Sequence, residues 1–158
     1  MTSDKLEIAD TTTARPVFSI VAPVFNEEKT LPHFYRRVVE VIEGMGDSFE
    51  LVLINDGSQD GSFRTMQELH TRDPRVRVID FSRNFGHQIA ISAGLDHARG
   101  NAVIIIDSDL QDPPEVIPQL VARWRGGAEA LKWIDSWWRE EQHTIRRREN
   151  RSTGVSMS

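Results

Sequence analysis

The sequence predicts an α/β fold with a mainly parallel sheet and helices on both of its faces. Two observations predict it: four short apolar segments rich in β-branched residues recur along the chain, and segments with helical spacing separate them. Such alternation builds a parallel sheet whose ligands bind at the carboxyl ends of the strands. A length of 158 residues is natural for one domain of this kind.

The first half of the predicted domain contains two strands and two helices. Val17–Ala22 is the first apolar segment, and the helical spacing of Leu31–Gly44 follows it, with Pro32 near the start and a glycine at the end. Glu50–Asn55 is the second strand, and Asp60–His70 again has apolar residues at helical spacing. Each strand ends at a turn-forming or polar residue.

The second half repeats this pattern. Val76–Phe81 is the third predicted strand, and Gln88–Ala98 is the third predicted helix. The fourth strand, Ala102–Ile106, is the most apolar run in the chain, and the fourth helix follows at Pro114–Arg125. The predicted domain therefore spans residues 17–127.

A polar cluster follows each predicted strand. The clusters are Pro23–Glu28, Asn55–Asp60, Ser82–His87 and Asp107–Asp112. Any one of them could be a helix cap or an ordinary turn, because Asp, Asn, Gly and Ser favour both. Four clusters at the ends of four parallel strands instead favour one shared site at one rim of the sheet.

The sharpest feature is the sequence Asp107-Ser108-Asp109. Two carboxylates one residue apart can hold a small hard cation and leave positions open for substrate oxygens, which suits Mg²⁺ or Mn²⁺. Like charges so close repel each other unless a cation or hydrogen bonds compensate them. Their position directly after a buried strand therefore indicates a metal–diphosphate site.

Composition excludes several other classes. The chain has 19 basic and 24 acidic side chains and a net charge of −5, which argues against a nucleic-acid-binding protein. The lack of cysteine excludes a disulfide scaffold, a thiolate metal site and a cysteine nucleophile. Phosphate-binding-loop and Gly-x-Gly-x-x-Gly motifs are missing, and the five histidines lack metal-ligand spacing. A phosphate-accepting receiver domain is not supported either, because this chain has no convincing lysine at the end of a later strand.

The sequence shows neither a membrane-spanning segment nor a secretory signal. No apolar stretch approaches the roughly 18 residues of a membrane span, so we expect no transmembrane segment in this chain. Residues 1–16 lack the apolar core of a secretory signal, and we interpret them as a flexible leader. A cytoplasmic location is consistent with both observations.

Four motifs together resemble those of the family 2 glycosyltransferases, in the branch that acts on polyprenyl phosphates such as dolichol phosphate or bactoprenol phosphate. The motifs are Pro23–Glu28, Asn55–Asp60, Phe81–Gln88 and Asp107–Glu115. The resemblance implies a Rossmann-like GT-A fold and a UDP- or GDP-sugar donor. It also implies metal-dependent transfer of the sugar to a polyprenyl-phosphate acceptor at the cytoplasmic face of the membrane. The configuration at the anomeric carbon would be inverted in this transfer.

The resemblance also implies roles for individual residues in binding the nucleotide sugar. Pro23, Phe25 and Glu27 resemble the segment that lines the base and ribose, and Asp56 resembles the acidic residue that recognises the base. A donor-side loop is implied at three positions: Arg83, Asn84 and Gly86.

The same resemblance makes Asp107 and Asp109 the catalytic, metal-binding pair that also contacts the nucleotide sugar. Gln111 is a plausible third neighbour of the ion. A lipid phosphate is already largely ionised near neutral pH, because its second pKa is about 6. A strong protein base is therefore not needed in this reaction.

The resemblance stops after about Gly127. Residues 128–158 contain three of the four tryptophans. Their six basic and five acidic residues give this segment a net charge of +1, whereas the rest of the chain has a net charge of −6. Tryptophan and arginine suit an interfacial membrane helix. We favour the alternative that this tail is non-native, the product of a frameshift or a truncated gene.

A truncated domain leaves two hypotheses open. The first is a polyprenyl-phosphate glycosyltransferase, and the second is a non-catalytic remnant that binds a nucleotide or a partner protein. A sheet that lacks its later strands would expose an unpaired edge, so homo-oligomers are an expectation of both.

Overall fold

The structure is a computed structural model, and it describes residues 15–111 and 113–127 together with the backbone of 145–147. Apart from residues 15–16 and 145–147, the predicted leader and the predicted tail lie outside the described residues. The elements run in the order β1 (Phe18–Val24), α1 (Leu31–Met45), β2 (Phe49–Asn55), α2 (Ser62–Arg72), β3 (Val76–Asp80), α3 (His87–His97), β4 (Ala102–Ile105), α4 (Ile117–Arg125) and β5 (Ile145–Arg147).

The strands form one sheet in the order β3-β2-β1-β4-β5. Strands β1 to β4 are parallel, with Phe18 opposite Phe49 on one side and Ala102 on the other. The chain order therefore reverses at β1, which is where open α/β sheets form their ligand crevice. β5 runs antiparallel beside β4, with Arg147 opposite Ala102. The expectation of an unpaired edge at the last parallel strand is therefore wrong.

Helices cover both faces of the sheet, as predicted. Successive strand residues point to opposite faces. Ile20 and Leu51 belong to the core that packs under α1, α2 and α4, whereas Val21 and Val52 pack with Ala90 of α3. Every residue of β2 is buried, which fits the apolar run at residues 51–54.

The first strand is longer than its sequence predicts, because it continues past Pro23. Proline lacks the N–H that a central strand normally donates. The carbonyl of Val21 accepts a hydrogen bond from Ile106 on the β4 side, and the carbonyl of Pro23, two residues further on, points to the same side. There β4 has already ended and Ser108 donates its hydroxyl to Pro23 instead, at 2.9 Å. Proline is tolerated because no ladder partner remains on that side.

Two helix boundaries also differ from the predicted ones. α1 runs through Gly44, and Gly46 ends it in a left-handed conformation with a φ of 78°. The predicted fourth helix begins as a short 3-10 turn, Pro114–Val116, before α4. No helix in the described part of the chain is both long and apolar enough to cross a membrane.

Candidate functional site

A cleft of about 540 Å³ opens at the carboxyl ends of the parallel strands. Its lining comes from the end of β1, the loops after the four parallel strands and the start of α3: Pro23, Phe25, Glu27, Asp56, Asn84, Gly86, His87, Asp107, Ser108 and Asp109. The topology explains this convergence, because parallel strands end at one edge of the sheet and β1 lies at the point where the strand order reverses.

The loop after β1 is fixed by the loop after β2. Asn26 adopts a left-handed conformation with a φ of 53°, its N–H donates to Ser58, and its side-chain oxygen accepts from Gln59 at 2.8 Å. The N–H of Glu27 donates to Ser62 at 2.8 Å. These bonds hold Phe25 at the cleft with 46% of its surface exposed. An aromatic ring presented in this way can stack against a planar ligand.

The loop after β3 contacts Asp56, a buried residue that directly follows β2. The carboxylate of Asp56 accepts hydrogen bonds from Asn84, Phe85 and Gly86. Gly86 then starts α3, so that His87 enters the lining of the cleft. This loop therefore supplies one wall of the cleft, and three of its residues donate hydrogen bonds to the carboxylate of Asp56.

Asp107 is the most strongly perturbed carboxylate at the cleft. Burial raises its pKa to about 6, and the negative charges of Asp109 and Glu27 act in the same direction. His87 lowers this pKa, and its Nε2 lies 3.7 Å from an oxygen of Asp107. A buried carboxylate whose ionisation is opposed by neighbouring carboxylates would be stabilised by a bound cation.

The loop after β4 is tightly turned at Leu110, which has a φ of 63° although it is not a glycine. A carboxylate oxygen of Asp109 accepts the backbone N–H of Gln111 at 3.1 Å. Leu110 packs against the main core at the same time. Backbone strain of this kind is found where surrounding structure holds a functional residue in place.

The chemistry of this lining fits a divalent cation with oxygen ligands. Asp107 and Asp109 supply carboxylates, and Mg²⁺ or Mn²⁺ normally combines one or two protein carboxylates with substrate phosphates. No group of three or more His, Cys, Asp or Glu residues suited to a metal is found among residues 15–111 and 113–127. An ion at this cleft would therefore take further ligands from water or from a bound diphosphate.

Eight of the predicted donor-site residues line the cleft together: Pro23, Phe25, Glu27, Asp56, Asn84, Gly86, Asp107 and Asp109. Arg83 and Gln111 are not in its lining; the guanidinium of Arg83 lies 4.3 Å from the ring centroid of Phe85. His87 and Ser108 belong to the polar clusters predicted at the rim, but neither was predicted to take part in binding the donor. The available signal for both was position, since His87 directly follows the predicted loop and Ser108 lies between the two aspartates.

Comparison with known proteins agrees with this geometry. The family model described as glycosyl transferase family 2 matches residues 19–153. An uncharacterized glycosyltransferase of Bacillus subtilis is 51% identical over 72% of this chain and 35% of its own length. The bactoprenol glucosyl transferase of Shigella phage SfV is also 51% identical, over 72% of this chain and 37% of its own.

A third relative is the undecaprenyl-phosphate 4-deoxy-4-formamido-L-arabinose transferase of Pseudomonas paraeruginosa, 41% identical over 88% of this chain and 43% of its own length. The chain thus spans less than half the length of these curated relatives. Both this alignment and the family model cover more of the chain than residues 17–127.

Solved structures share the fold at low sequence identity. A mannosyltransferase of Pyrobaculum calidifontis, in complex with GDP-Man and Mn²⁺, matches 86% of this chain and 46% of its own with a TM-score of 0.64 and 17% identity. S. aureus TarS in complex with UDP-GlcNAc matches 72% of this chain and 32% of its own with a TM-score of 0.58 and 21% identity. These likenesses confirm the predicted GT-A-like fold.

The family assignment rests on three findings together: the match over residues 19–153, relatives with about half of their aligned residues identical, and a shared fold. This chain belongs to glycosyl transferase family 2.

Proposed function

We propose that the cleft is the donor site of a metal-dependent glycosyltransferase that moves a sugar from a nucleotide-diphospho-sugar to a polyprenyl-phosphate lipid. The observation that carries the proposal is the convergence of Asp107, Asp109 and the exposed ring of Phe25 in one cleft at the strand ends. The names of the bactoprenol and undecaprenyl-phosphate relatives support the acceptor class.

The proposed donor lies with its diphosphate at Asp107 and Asp109 and its base and ribose along the segment that contains Pro23, Phe25 and Glu27. The loop Arg83–Gly86 borders the donor on the β3 side. UDP- and GDP-sugars are both candidates, because the structural neighbours hold GDP-Man and UDP-GlcNAc. Magnesium and manganese both suit the carboxylate oxygens.

In the proposed reaction an oxygen of the lipid phosphate forms a bond to the anomeric carbon while the bond from that carbon to the donor diphosphate breaks. The nucleoside diphosphate leaves with the bonding electron pair. A divalent ion, when bound, neutralises the charge that develops on this leaving group. Asp107 and Asp109 would hold the ion, and the proximity of His87 to Asp107 moderates the negative charge there.

Because the proposed acceptor is a lipid phosphate, the reaction would take place at a membrane surface. We propose that this surface is the cytoplasmic face. A competing function is a nucleotide-binding or partner-binding protein without transferase activity. One observation favours it: the chain spans only 35–37% of the length of these two relatives.

The test is incubation of the 158-residue chain with a panel of radiolabelled nucleotide sugars, Mg²⁺ or Mn²⁺, and short polyprenyl phosphates. In parallel, calorimetry measures the affinity for UDP and GDP with Mn²⁺ and with a chelator. Metal-dependent nucleotide binding supports the donor site, and labelled glycolipid supports transfer by this chain. Binding without product means that the chain holds the donor but does not complete transfer by itself, and an absence of nucleotide binding contradicts the donor site.

A further inference from the structure

The lining of the cleft is rich in negative charge. Four of its side chains are carboxylates: Glu27, Asp56, Asp107 and Asp109. A diphosphate is itself an anion with acceptor oxygens, and like charges disfavour one another. One divalent cation carries less positive charge than these carboxylates carry negative charge. A diphosphate in this cleft therefore needs hydrogen-bond donors from the protein in addition to a cation.

Three side chains in the lining can donate a hydrogen bond: Asn84, His87 and Ser108. The hydroxyl of Ser108 donates to the carbonyl of Pro23 at 2.9 Å. The amide of Asn84 donates to the carbonyl of Asp56 at 3.1 Å and to its carboxylate at 3.3 Å. Two of the three side chains therefore use their donors within the protein.

The imidazole of His87 is the remaining donor. It makes no hydrogen bond to any residue among 15–111 and 113–127. Its Nε2 lies 3.7 Å from Oδ1 of Asp107, beyond the roughly 2.7–3.2 Å of an N–H···O hydrogen bond. The side chain is 47% exposed. Because an imidazole has at least one N–H in either protonation state, it can donate to a ligand beside Asp107.

The backbone fixes where this imidazole lies. Gly86 precedes α3 with a φ of 102°, and its carbonyl accepts the N–H of Ala90 at 3.1 Å. Further along α3, Gly94 packs against Val21 of β1 without room for a side chain. The first residue of α3 is thus held relative to the strand ends, and a group on a rigid element is preorganised for its ligand.

We propose that His87 binds the diphosphate of the donor by donating a hydrogen bond from Nε2 to an oxygen of the phosphate groups at Asp107 and Asp109. This inference rests on the proposed function, because it concerns the ligand of the same cleft. The diphosphate is common to all nucleotide-diphospho-sugars, so His87 favours this class of donor without selecting the base. During transfer the same hydrogen bond stabilises the charge on the leaving nucleoside diphosphate.

His87→Ala tests this contact by calorimetry with UDP and GDP at saturating Mn²⁺. We expect the variant to bind each nucleotide that the wild type binds about 10- to 100-fold more weakly, the range for a hydrogen bond to a charged group. His97→Ala is the matched control, because it removes an exposed histidine at the other end of the same helix. The control should bind as the wild type does. Wild-type affinity in His87→Ala would overturn the proposal.

Two further variants separate the hydrogen bond from the packing of the ring, and they also decide the question if His87→Ala does not fold. His87→Phe keeps a ring without a donor and should lose affinity strongly. His87→Gln keeps an N–H donor at a similar distance from the backbone and should lose less. Circular dichroism checks the fold of each variant. If His87→Gln binds no better than His87→Phe, the hydrogen bond is not the cause and the proposal is overturned.

Competition with inorganic pyrophosphate locates the contact on the ligand. The dissociation constant of pyrophosphate, measured by its displacement of the nucleotide, should rise in His87→Ala by about the same factor as that of the nucleotide. An unchanged constant would place the contact at the base or ribose and would overturn the proposal. Recovery of nucleotide affinity in excess Mn²⁺ would also overturn it, because His87 would then act only through Asp107 and the ion.

The wild type distinguishes a failure of the proposed function from a failure of this inference. If the wild type binds neither UDP nor GDP with Mn²⁺, the donor site is wrong and the role of His87 in it is wrong as well. If the wild type binds a nucleotide and His87→Ala binds it equally well, the donor site stands and only the assignment of His87 is wrong.

Discussion

Asp107 shows how a single residue can indicate a ligand. Burial and the charges of Asp109 and Glu27 raise its pKa to about 6, although His87 acts against them. The stability of the protein would be served better by a neutral residue at this position. A carboxylate that is destabilised in the free protein and lies in a cleft is therefore better explained by the binding of a cation.

Asp109→Ala tests the metal assignment. The variant should lose the dependence of UDP and GDP binding on Mn²⁺, with a decrease in affinity greater than the roughly 10–100-fold that loss of an outer-shell partner costs at metal sites. Its fold should persist, because Asp109 lies at the rim of the cleft and not in the core. Calorimetry with Mn²⁺ and with a chelator measures the effect, and circular dichroism checks the fold.

Asp96→Ala is the matched control, since it removes an exposed aspartate of α3. It should bind both nucleotides as the wild type does. Equal nucleotide affinities for Asp109→Ala and the wild type, with and without Mn²⁺, would remove the metal from the proposed site.

The sequence identified the aspartate pair but not the histidine beside it, and the reason is physical. Asp107 and Asp109 are adjacent along one segment, and the apolar strand before them fixes where they lie. The contact between His87 and Asp107 joins segments after two different strands, and only the folded sheet brings them together. The hydrogen bonds to Asp56 were not predictable for the same reason, because its donors come from the loop after β3.

At the scale of elements, α3 packs against the sheet at Gly94 without room for a side chain. A Cβ atom at this position would approach Val21 to 2.3 Å and Ile54 to 2.9 Å. Both neighbours are buried β-branched side chains with little freedom to move. The position of α3 at the cleft therefore depends on a glycine in its middle.

Gly94→Ala should destabilise the protein by about 1–3 kcal/mol, because overpacking forces side chains or backbone to shift. Chemical denaturation measures the free energy of unfolding. Gly44→Ala is the matched control in α1, since nothing lies within 4 Å of its added carbon. There the loss of glycine should be neutral or stabilising by about 0.5–1 kcal/mol. Equal effects at the two positions would contradict the close packing of α3.

Asp73 follows the C-terminal end of α2 and connects α2 with α1 and with the residue before β3. Its carboxylate binds Arg75 at 2.9 Å, next to β3, and accepts the hydroxyl of Tyr35 in α1 at 2.7 Å. The hydrogen bonds from Arg75 lower the pKa of Asp73 to about 2, against burial, and the bond from Tyr35 acts in the same direction.

This lowered pKa predicts the dependence of stability on pH. An Asp in the unfolded chain has a pKa of about 3.9, so the stabilisation is present above that pH and is lost as the pH falls to about 2. We expect Asp73→Asn to reduce the free energy of unfolding by about 1–2 kcal/mol at pH 7, with the difference from the wild type vanishing near pH 2. Urea denaturation at several pH values measures it. A difference that persists unchanged at pH 2 would show that the ion pair is not its cause.

The elements themselves were largely predictable, and their boundaries were not. The buried strand β2 was predictable from its apolar run at residues 51–54, and α1 was predictable from its one apolar face. The extension of β1 through Pro23 depends on where β4 ends, which is a property of the sheet. The pairing of β5 with β4 joins residues far apart in sequence, and no local pattern at Ile145–Arg147 indicated it.

At the scale of the whole molecule, the chain contains the proposed donor cleft and spans only part of the length of its relatives. It aligns with 35% of the Bacillus relative and 37% of the phage relative. Transfer requires donor and acceptor in reacting geometry, and this positioning can contribute about 7–11 kcal/mol to lowering the barrier. The proposed donor binding involves the cleft, whose lining residues all lie within 23–109.

We therefore expect the 158-residue chain to bind UDP or GDP weakly in the presence of Mn²⁺ and to form no detectable glycolipid. A chain extended with the remaining part of a relative such as the phage bactoprenol glucosyl transferase should form it, because the extension would supply groups that hold the lipid phosphate. Radiolabelled donors and short polyprenyl phosphates measure the product in both. The extended chain with Asp109→Ala is the control, and it should remain inactive.

Turnover by the 158-residue chain alone would contradict this expectation and would mean that residues 128–158 or a second copy of the chain complete the acceptor site. The dependence of the rate on protein concentration separates these two explanations. If a dimer is the active species, the rate increases more steeply than linearly with protein concentration below the dissociation constant of the dimer. The dimer concentration there varies with the square of the protein concentration. Activity in proportion to concentration would instead assign the acceptor site to a single chain, with the tail as its source.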